Sequence, residues 1–213
     1  MKPLILALDT TRESGSLALL RGEELLEELA LRAPTGFAHV LYGSLAELLA
    51  RQGAVVGEVD CFAAAAGPGS FTGVRVGLAA IKGLAEALGR PAYAVSNLQA
   101  LATFGTAPLR APLLDARRGE IYGAVYGAAG ELVMPEVVAK LDRWMATLPP
   151  AVEFVAQDAL DLGGARVAAA PRELAGAVAR IALARLLRGE AGDPAGLDAN
   201  YVRRSDAELF WKE

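Results

Sequence analysis

The feature that most constrains how this chain can fold is a glycine-rich stretch, residues 67–77. It follows the apolar run 61–66 and opens a long helical pattern, so it predicts a strand, a tight loop and a helix. Gly67 and Gly69 allow backbone conformations that a Cβ would forbid, and Ser70 or Thr72 is placed to cap the helix. The free amides of such a helix start suit an anion, but the same loop also suits a helix that simply packs closely.

Small residues continue along the predicted helix, where Gly73 and Gly77 lie four residues apart. Each internal glycine costs about 0.5–1 kcal/mol relative to alanine, so we expect another backbone to approach this face closely. That backbone belongs either to the same fold or to a partner chain. A leucine stripe on the preceding helix, residues 38–51, favours a partner. The predicted partner or dimer interface comprises Leu41, Tyr42, Leu45, Leu48, Gly73, Val74, Gly77, Ala80, Ile81 and Leu84.

The composition limits which functions are open to the chain. Its 213 residues are 54% hydrophobic, yet no apolar run has the roughly 18–20 residues of a membrane span. The single cysteine, Cys61, excludes an internal disulfide, and the single histidine, His39, leaves no zinc-peptidase ligand set. There is no nucleophile elbow and no Walker A loop. We therefore expect a cytoplasmic protein without a metal, and its net charge of −4 argues against autonomous nucleic-acid binding.

The chain shows a weak internal repeat of an antiparallel hairpin followed by helices and strands. Three strands are predicted within residues 3–31, and the second half begins again with a strand at 112–116 and its hairpin mate at 120–126. The first strand of each half ends at an aspartate, Asp9 and Asp115. We predict an α/β fold with subdomains at residues 1–105 and 106–213, the last residues belonging to the second subdomain or packing on the first.

Polar residues at the two strand ends form a candidate phosphate or nucleotide site. Carboxylates and hydroxyls there suit magnesium and phosphate, and they suit an ordinary polar hairpin equally well. The candidate residues are Asp9, Thr10, Thr11, Gly67, Gly69, Ser70 and Asp115.

The hairpin halves resemble the actin/hsp70/sugar-kinase (ASKHA) fold, and particular motifs resemble the TsaB family, formerly YeaZ. The motifs are Asp9-Thr10-Thr11, Gly15-Ser16-Leu17-Ala18-Leu19, residues 67–77, Asp115-Ala116-Arg117-Arg118-Gly119-Glu120-Ile121-Tyr122 and Tyr201-Val202-Arg203. ATP-binding ASKHA relatives usually carry a glycine before the hydroxyl residue of the first loop. This chain carries bulkier residues there, which disfavours close approach of a phosphate.

The resemblance implies a non-catalytic accessory subunit without a cofactor. It would bind the catalytic subunit TsaD, together with the ATPase TsaE, in a complex that transfers threonylcarbamoyl to N6 of adenosine 37 in tRNAs reading codons that begin with A. The helices at 38–51 and 71–88 would bundle with TsaD and form a homodimer when the chain is alone. Direct tRNA contact is a further hypothesis for Arg117, Arg118, Arg203 and Arg204. The alternative function is an ATPase or small-molecule kinase that binds ATP or ADP with magnesium near Asp9 and Asp115.

Overall fold

Two five-stranded sheets with the same arrangement of strands organise the chain in the computed structural model, which describes residues 2–158, 162 and 164–202. The first sheet has the order β3-β2-β1-β4-β5, with β1 (Leu4–Asp9), β2 (Ser14–Arg21), β3 (Glu24–Arg32), β4 (Cys61–Ala65) and β5 (Ala92–Val95). The second has the order β10-β9-β6-β7-β8, with β6 (Leu109–Arg117), β7 (Glu120–Gly127), β8 (Leu132–Lys140), β9 (Glu153–Ala156) and β10 (Val167–Ala169).

In each sheet the first strand pairs antiparallel with its hairpin mate on one side and parallel with a later strand on the other. The helices are α1 (Leu41–Arg51), which follows a short 3-10 turn, α2 (Phe71–Leu88), α3 (Asn97–Ala102), α4 (Leu141–Met145) and α5 (Ala175–Leu187). The predicted bounds of the helix at 71–88 are confirmed. The predicted repeat therefore has a counterpart in the order of the strands.

Contacts divide the chain into two units, and the division differs from the expected break at residue 105. One unit holds residues 2–97 and Arg172–Ala199, and the other holds Leu98–Pro171 and, of the last described residues, 200–202. The difference arises because α5 follows the second sheet in sequence but packs against β1, β2 and β4 of the first. Asn200, in turn, donates from Nδ2 to Glu136 Oε2 on β8 at 2.6 Å.

The first unit buries both faces of its sheet. Leu6 and Leu8 of β1 share one core with Leu48 of α1 and Ile81 of α2. On α5, the amides of Leu174 and Ala175 donate to the buried Ser16 Oγ at 3.2 and 3.0 Å, and Gly176 N donates to Glu28 Oε1 at 2.8 Å. These sheet side chains satisfy free amides at the start of α5, which begins at Ala175.

The second unit has its own core around Trp144 of α4. The Trp144 ring meets Phe154 edge to face, with the ring centroids 6.2 Å apart. A Cβ at Gly123 would lie 2.6 Å from Trp144 Cζ2, so glycine on β7 is what lets the indole sit against the strand. The sequence did not predict β8, which lies at the edge of the sheet and tolerates the exposed Pro135 there.

Candidate functional site

The glycine-rich stretch forms the predicted strand, loop and helix. Gly67 has a φ of 100°, which favours glycine, and the Gly67–Pro68 peptide bond is cis. Ser70 is the N-cap of α2, and its Oγ accepts from Gly73 N at 3.2 Å, which confirms the predicted cap.

The space beside Gly73 and Gly77 of α2 is filled by the chain at and just after the end of β1. Ser70 N donates to the carbonyl of Thr11 at 2.6 Å, and Thr10 Oγ1 donates to the carbonyl of Gly73 at 2.8 Å. A Cβ at Gly73 would overlap the Thr10 carbonyl oxygen, and one at Gly77 would lie 2.5 Å from Thr10 Oγ1. The close approach predicted from the glycine spacing therefore exists, but the approaching backbone is the chain's own.

A buried polar network holds this contact together. Asp9 Oδ1 accepts from Thr11 N at 2.8 Å and from Thr11 Oγ1 at 2.6 Å. Asn97 Nδ2 donates to Thr11 Oγ1 at 2.5 Å, and Asn97 Oδ1 accepts from Gly67 N at 2.9 Å. Burial raises the pKa of Asp9, although its hydrogen bonds with Thr11 act in the opposite direction. We name this network of Asp9, Thr11, Asn97 and Gly67 the clasp.

Asn97 was missed by sequence reasoning. Asn97 is the first residue of the short helix α3, and nothing in the local sequence shows that it bridges two distant loops. The chain has no separate signal for such a pairing, because the residues that meet are 30 and 86 positions apart.

The clasp changes the prediction of a phosphate site. Asp9, Thr10 and Thr11 are at most 1% exposed, so they present no surface to a nucleotide phosphate in this conformation. Gly69 and Ser70 are exposed, but a Cβ at Gly69 would lie 2.5 Å from the Thr11 carbonyl oxygen. At the start of α2 the amide of Ser70 is thus already bonded to the Thr11 carbonyl of the same chain.

The remaining member of the predicted phosphate site, Asp115, belongs to the second unit and is exposed. Its Oδ1 accepts from Arg117 N at 2.7 Å. Within the described ranges, no three His, Cys, Asp or Glu side chains come together as a metal site.

Most of the predicted interface residues are core residues of the first unit, and this part of the prediction is corrected. The buried positions are Leu41, Leu45, Leu48, Gly73, Val74, Gly77, Ala80 and Ile81. The side chains of these residues pack in the core of the first unit. At the two glycines, the space that a Cβ would need is occupied by other residues of the same chain. Leu84 is half-buried, and Tyr42 is exposed. Helical spacing selected the faces of α1 and α2 that pack within the first unit.

The outer faces of α1 and α2 carry exposed aromatic and small residues. Tyr42 is 56% and Phe71 44% exposed, and Arg75 Cζ lies 3.5 Å from the centroid of the Phe71 ring. No described atom lies within 4 Å of where a Cβ would stand at Gly43 or Gly83. We call these five residues the outer patch.

The predicted arginines divide between described and undescribed residues. Arg117 and Arg118 are exposed at the turn between β6 and β7, where both have positive φ. Arg203 and Arg204 lie outside the described residues, so their prediction is not tested. Across the part of the chain that the structure describes, no helix is long and apolar enough to span a bilayer.

Comparison with known proteins gives consistent matches. A sequence model of the TsaD family, tRNA N6-adenosine threonylcarbamoyltransferase, matches residues 33–179. A Bacillus subtilis protein named tRNA threonylcarbamoyladenosine biosynthesis protein TsaB is 31% identical across 98% of both chains. The Haemophilus influenzae protein of the same name is 41% identical over 55% of this chain and 51% of its own length.

A solved structure extends the match to three dimensions. YeaZ from Pseudomonas aeruginosa superposes with a TM-score of 0.80 at 29% identity, covering 93% of this chain and 99% of that one. The predicted ASKHA-like fold and the resemblance to the TsaB family are both confirmed. The chain belongs to the TsaB (YeaZ) family and falls within the sequences that the TsaD family model describes.

Proposed function

We propose that this chain is a non-catalytic subunit of the machinery that forms threonylcarbamoyladenosine in tRNA. The observation that carries the proposal is the B. subtilis relative, which bears the name of this pathway and matches nearly the whole of both chains. The YeaZ structure supports the same family over a similar extent of the chain.

The clasp supports a non-catalytic role. Its carboxylate, Asp9, is buried and bonded to Thr11, and Thr10 fills the groove along α2. Cys61 is buried, and burial raises the pKa of its thiol to about 12, so it is no nucleophile at neutral pH. We therefore assign the transfer step to the partner, a TsaD-type transferase, with TsaE completing the assembly and tRNA held by the complex in the cytoplasm.

The alternative, an ATPase or kinase, needs the clasp to open around a nucleotide. Calorimetry with magnesium-ATP tests it on the purified chain. We expect no binding that depends on Asp9. Micromolar binding that is abolished in Asp9→Ala would support the alternative instead.

The outer patch is the surface we propose for the partner, and for a second copy of the chain when the partner is absent. Exposed Tyr42 and Phe71 supply aromatic anchors of the type enriched at interfaces. Gly43 and Gly83 leave room for a facing helix to approach. A standard interface would bury about 1,600 Å² in total, which is more than the patch alone offers, so neighbouring residues of both helices would take part.

The test is co-expression with the transferase subunit of the same organism, followed by size-exclusion chromatography. Gly83→Leu adds bulk in open space on the outer face and raises helix propensity, so the chain stays folded while association weakens at least tenfold. Gly57→Leu is the matched control, because Gly57 also faces open space but lies outside both helices.

Two results would contradict the proposal. One is failure of the wild-type chain to co-elute with the transferase. The other is a Gly83→Leu variant that assembles as well as wild type and Gly57→Leu, which would move the partner away from the outer patch.

A further inference from the structure

The turn between β6 and β7 keeps two arginines in an unfavourable backbone conformation. Arg117, Arg118 and Gly119 have φ values of 63°, 56° and 70° in succession. Arg118 and Gly119 are the two residues between the paired positions Arg117 and Glu120. Two-residue turns of this hand favour asparagine followed by glycine, because most side chains are strained at positive φ. The geometry of the turn therefore does not explain why positions 117 and 118 are arginines, and a functional role would explain it.

A third cation joins the two arginines. Lys140, at the end of β8, pairs with Glu120 across the sheet, and its Nζ donates to the carbonyl of Arg118 at 2.9 Å. Arg117, Arg118 and Lys140 are all exposed. We call these three residues the basic tip.

The acidic groups near the basic tip are Asp115 and Glu120. Asp115 accepts from the backbone N–H of Arg117, so it supports the turn that presents the guanidinium groups. The chain as a whole is acidic, with a net charge of −4. Three exposed cations at one hairpin end are therefore a local departure from the charge of the whole.

We propose that the basic tip contacts the phosphodiester backbone of the tRNA that the complex binds, an inference that rests on the proposed function. Guanidinium groups present paired donors that fit phosphate oxygens, and the lysine adds a point charge beside them. Contacts of this kind position a nucleic acid and read no sequence. The tip is thus a positioning element for tRNA that the transferase then modifies.

The test compares the assembled complex carrying Arg117→Asn/Arg118→Asn with wild type. Asparagine tolerates positive φ, so the double variant removes two charges and keeps the turn. Arg32→Gln/Arg172→Gln removes two charges from exposed arginines of the first unit and is the charge-matched control. Assembly is checked by size exclusion, and the dissociation constant for tRNA is measured by filter binding across a salt series.

We expect the tip variant to assemble normally and to bind tRNA about tenfold or more weakly near 100 mM salt. The slope of log affinity against log salt should become shallower by about 0.7–0.9 for each phosphate group that the variant no longer neutralises. The control should keep the wild-type slope.

An unchanged slope in an intact complex overturns the inference and leaves the proposed function standing. An equal loss of tRNA affinity in the control variant would show that the effect depends on net charge alone. Failure of the tip variant to assemble would show that the basic tip contacts a protein partner. Either result overturns the inference. Calorimetry with magnesium-ATP in the absence of tRNA tests whether the basic tip binds a free nucleotide instead. A binding heat that is lost only in the tip variant would show that the ligand is the nucleotide, which would also overturn the inference. If the wild-type chain does not assemble with the transferase, the proposed function fails and this inference fails with it.

Discussion

The first strand of each sheet carries an aspartate at or near its end, yet the two strand ends differ in their surroundings. Asp9, at the end of β1, is 1% exposed and belongs to the clasp. Asp115, near the end of β6, is exposed and supports a turn that displays arginines. The same strand order thus yields a structural contact in one unit and a surface in the other.

The difference is set by what lies beside each strand end. In the first unit the small residues of α2 let the chain after β1 sink against the helix, so its polar groups must pair within the protein. At the end of β6 the chain turns back at once into β7 through a two-residue turn. Equivalent strand order therefore places the two aspartates in different environments.

The largest effect should come from filling the space that the first strand end occupies. In Gly73→Ala the new methyl group would overlap the Thr10 carbonyl, and we expect a loss of about 3–5 kcal/mol in the free energy of unfolding. Gly83→Ala, in open space on the same helix, should be stabilising by about 1 kcal/mol. Urea denaturation followed by circular dichroism measures both, and equal stabilities would show that the clasp side of α2 is not tightly packed.

Removing the two aspartates tests the comparison directly. Asp9→Ala leaves the buried amide and hydroxyl of Thr11 without their acceptor and should cost about 2–3 kcal/mol. Asp115→Ala removes one exposed acceptor and should cost less than about 1 kcal/mol. Thermal melts of the two variants rank their stabilities. A larger loss of stability in Asp115→Ala than in Asp9→Ala would contradict the structural role of Asp9 and the surface role of Asp115.

A buried carboxylate of the second unit, Glu153, gives a pH-dependent contrast with Asp9. Burial by itself raises the pKa of Glu153, but donation from the amides of Ala107 and Thr106 and the guanidinium of Arg166 outweighs it, so the pKa falls below its usual 4.5. A carboxyl whose pKa is lowered by folding stabilises above its unfolded pKa, and that contribution is lost as pH falls through the folded value.

We therefore expect Glu153→Gln to cost about 1–2 kcal/mol at pH 7 and progressively less below pH 4.5. For Asp9 the sign is opposite: its raised pKa means that ionisation opposes folding, so protonation of Asp9 at acid pH favours the folded state. Denaturant midpoints of wild type and Glu153→Gln between pH 3 and pH 7 check the expectation. A stability difference between wild type and Glu153→Gln that grows toward acid pH would contradict this expectation.

The smallest effect concerns the turn of the second hairpin. Arg118→Asn replaces a strained residue by one that tolerates positive φ, and we expect a gain of about 0.5–1 kcal/mol. Chemical denaturation gives the value. A lower stability would mean that the arginine side chain itself holds the turn together.

Local patterns predicted much of the fold. The apolar run of β1, the cap at Ser70 and the glycine after Leu88 each act within a few residues, so α2 and the first hairpin could be located from sequence. The matching aspartates indicated the repeat. These features needed no knowledge of distant contacts.

The remaining features depend on contacts between distant residues. Glycine spacing in α2 indicates that another backbone approaches the helix closely, but it does not show which residues approach. In the structure the approaching residue is Thr10. Asn97 joins the clasp from the start of α3. The edge strand β8 contains Pro135, which hid its pairing with β7.

The placement of α5 has a consequence for how the protein is made. The sheet of the first unit comes early in the chain, but the helix that covers one of its faces, with the Ser16 hydroxyl at its start, is synthesised after the whole second sheet. During translation that face of the sheet remains exposed to solvent until Ala175–Leu187 have left the ribosome. The first unit therefore cannot complete its folding before the second sheet has been synthesised, unlike a domain that folds as soon as its own residues emerge.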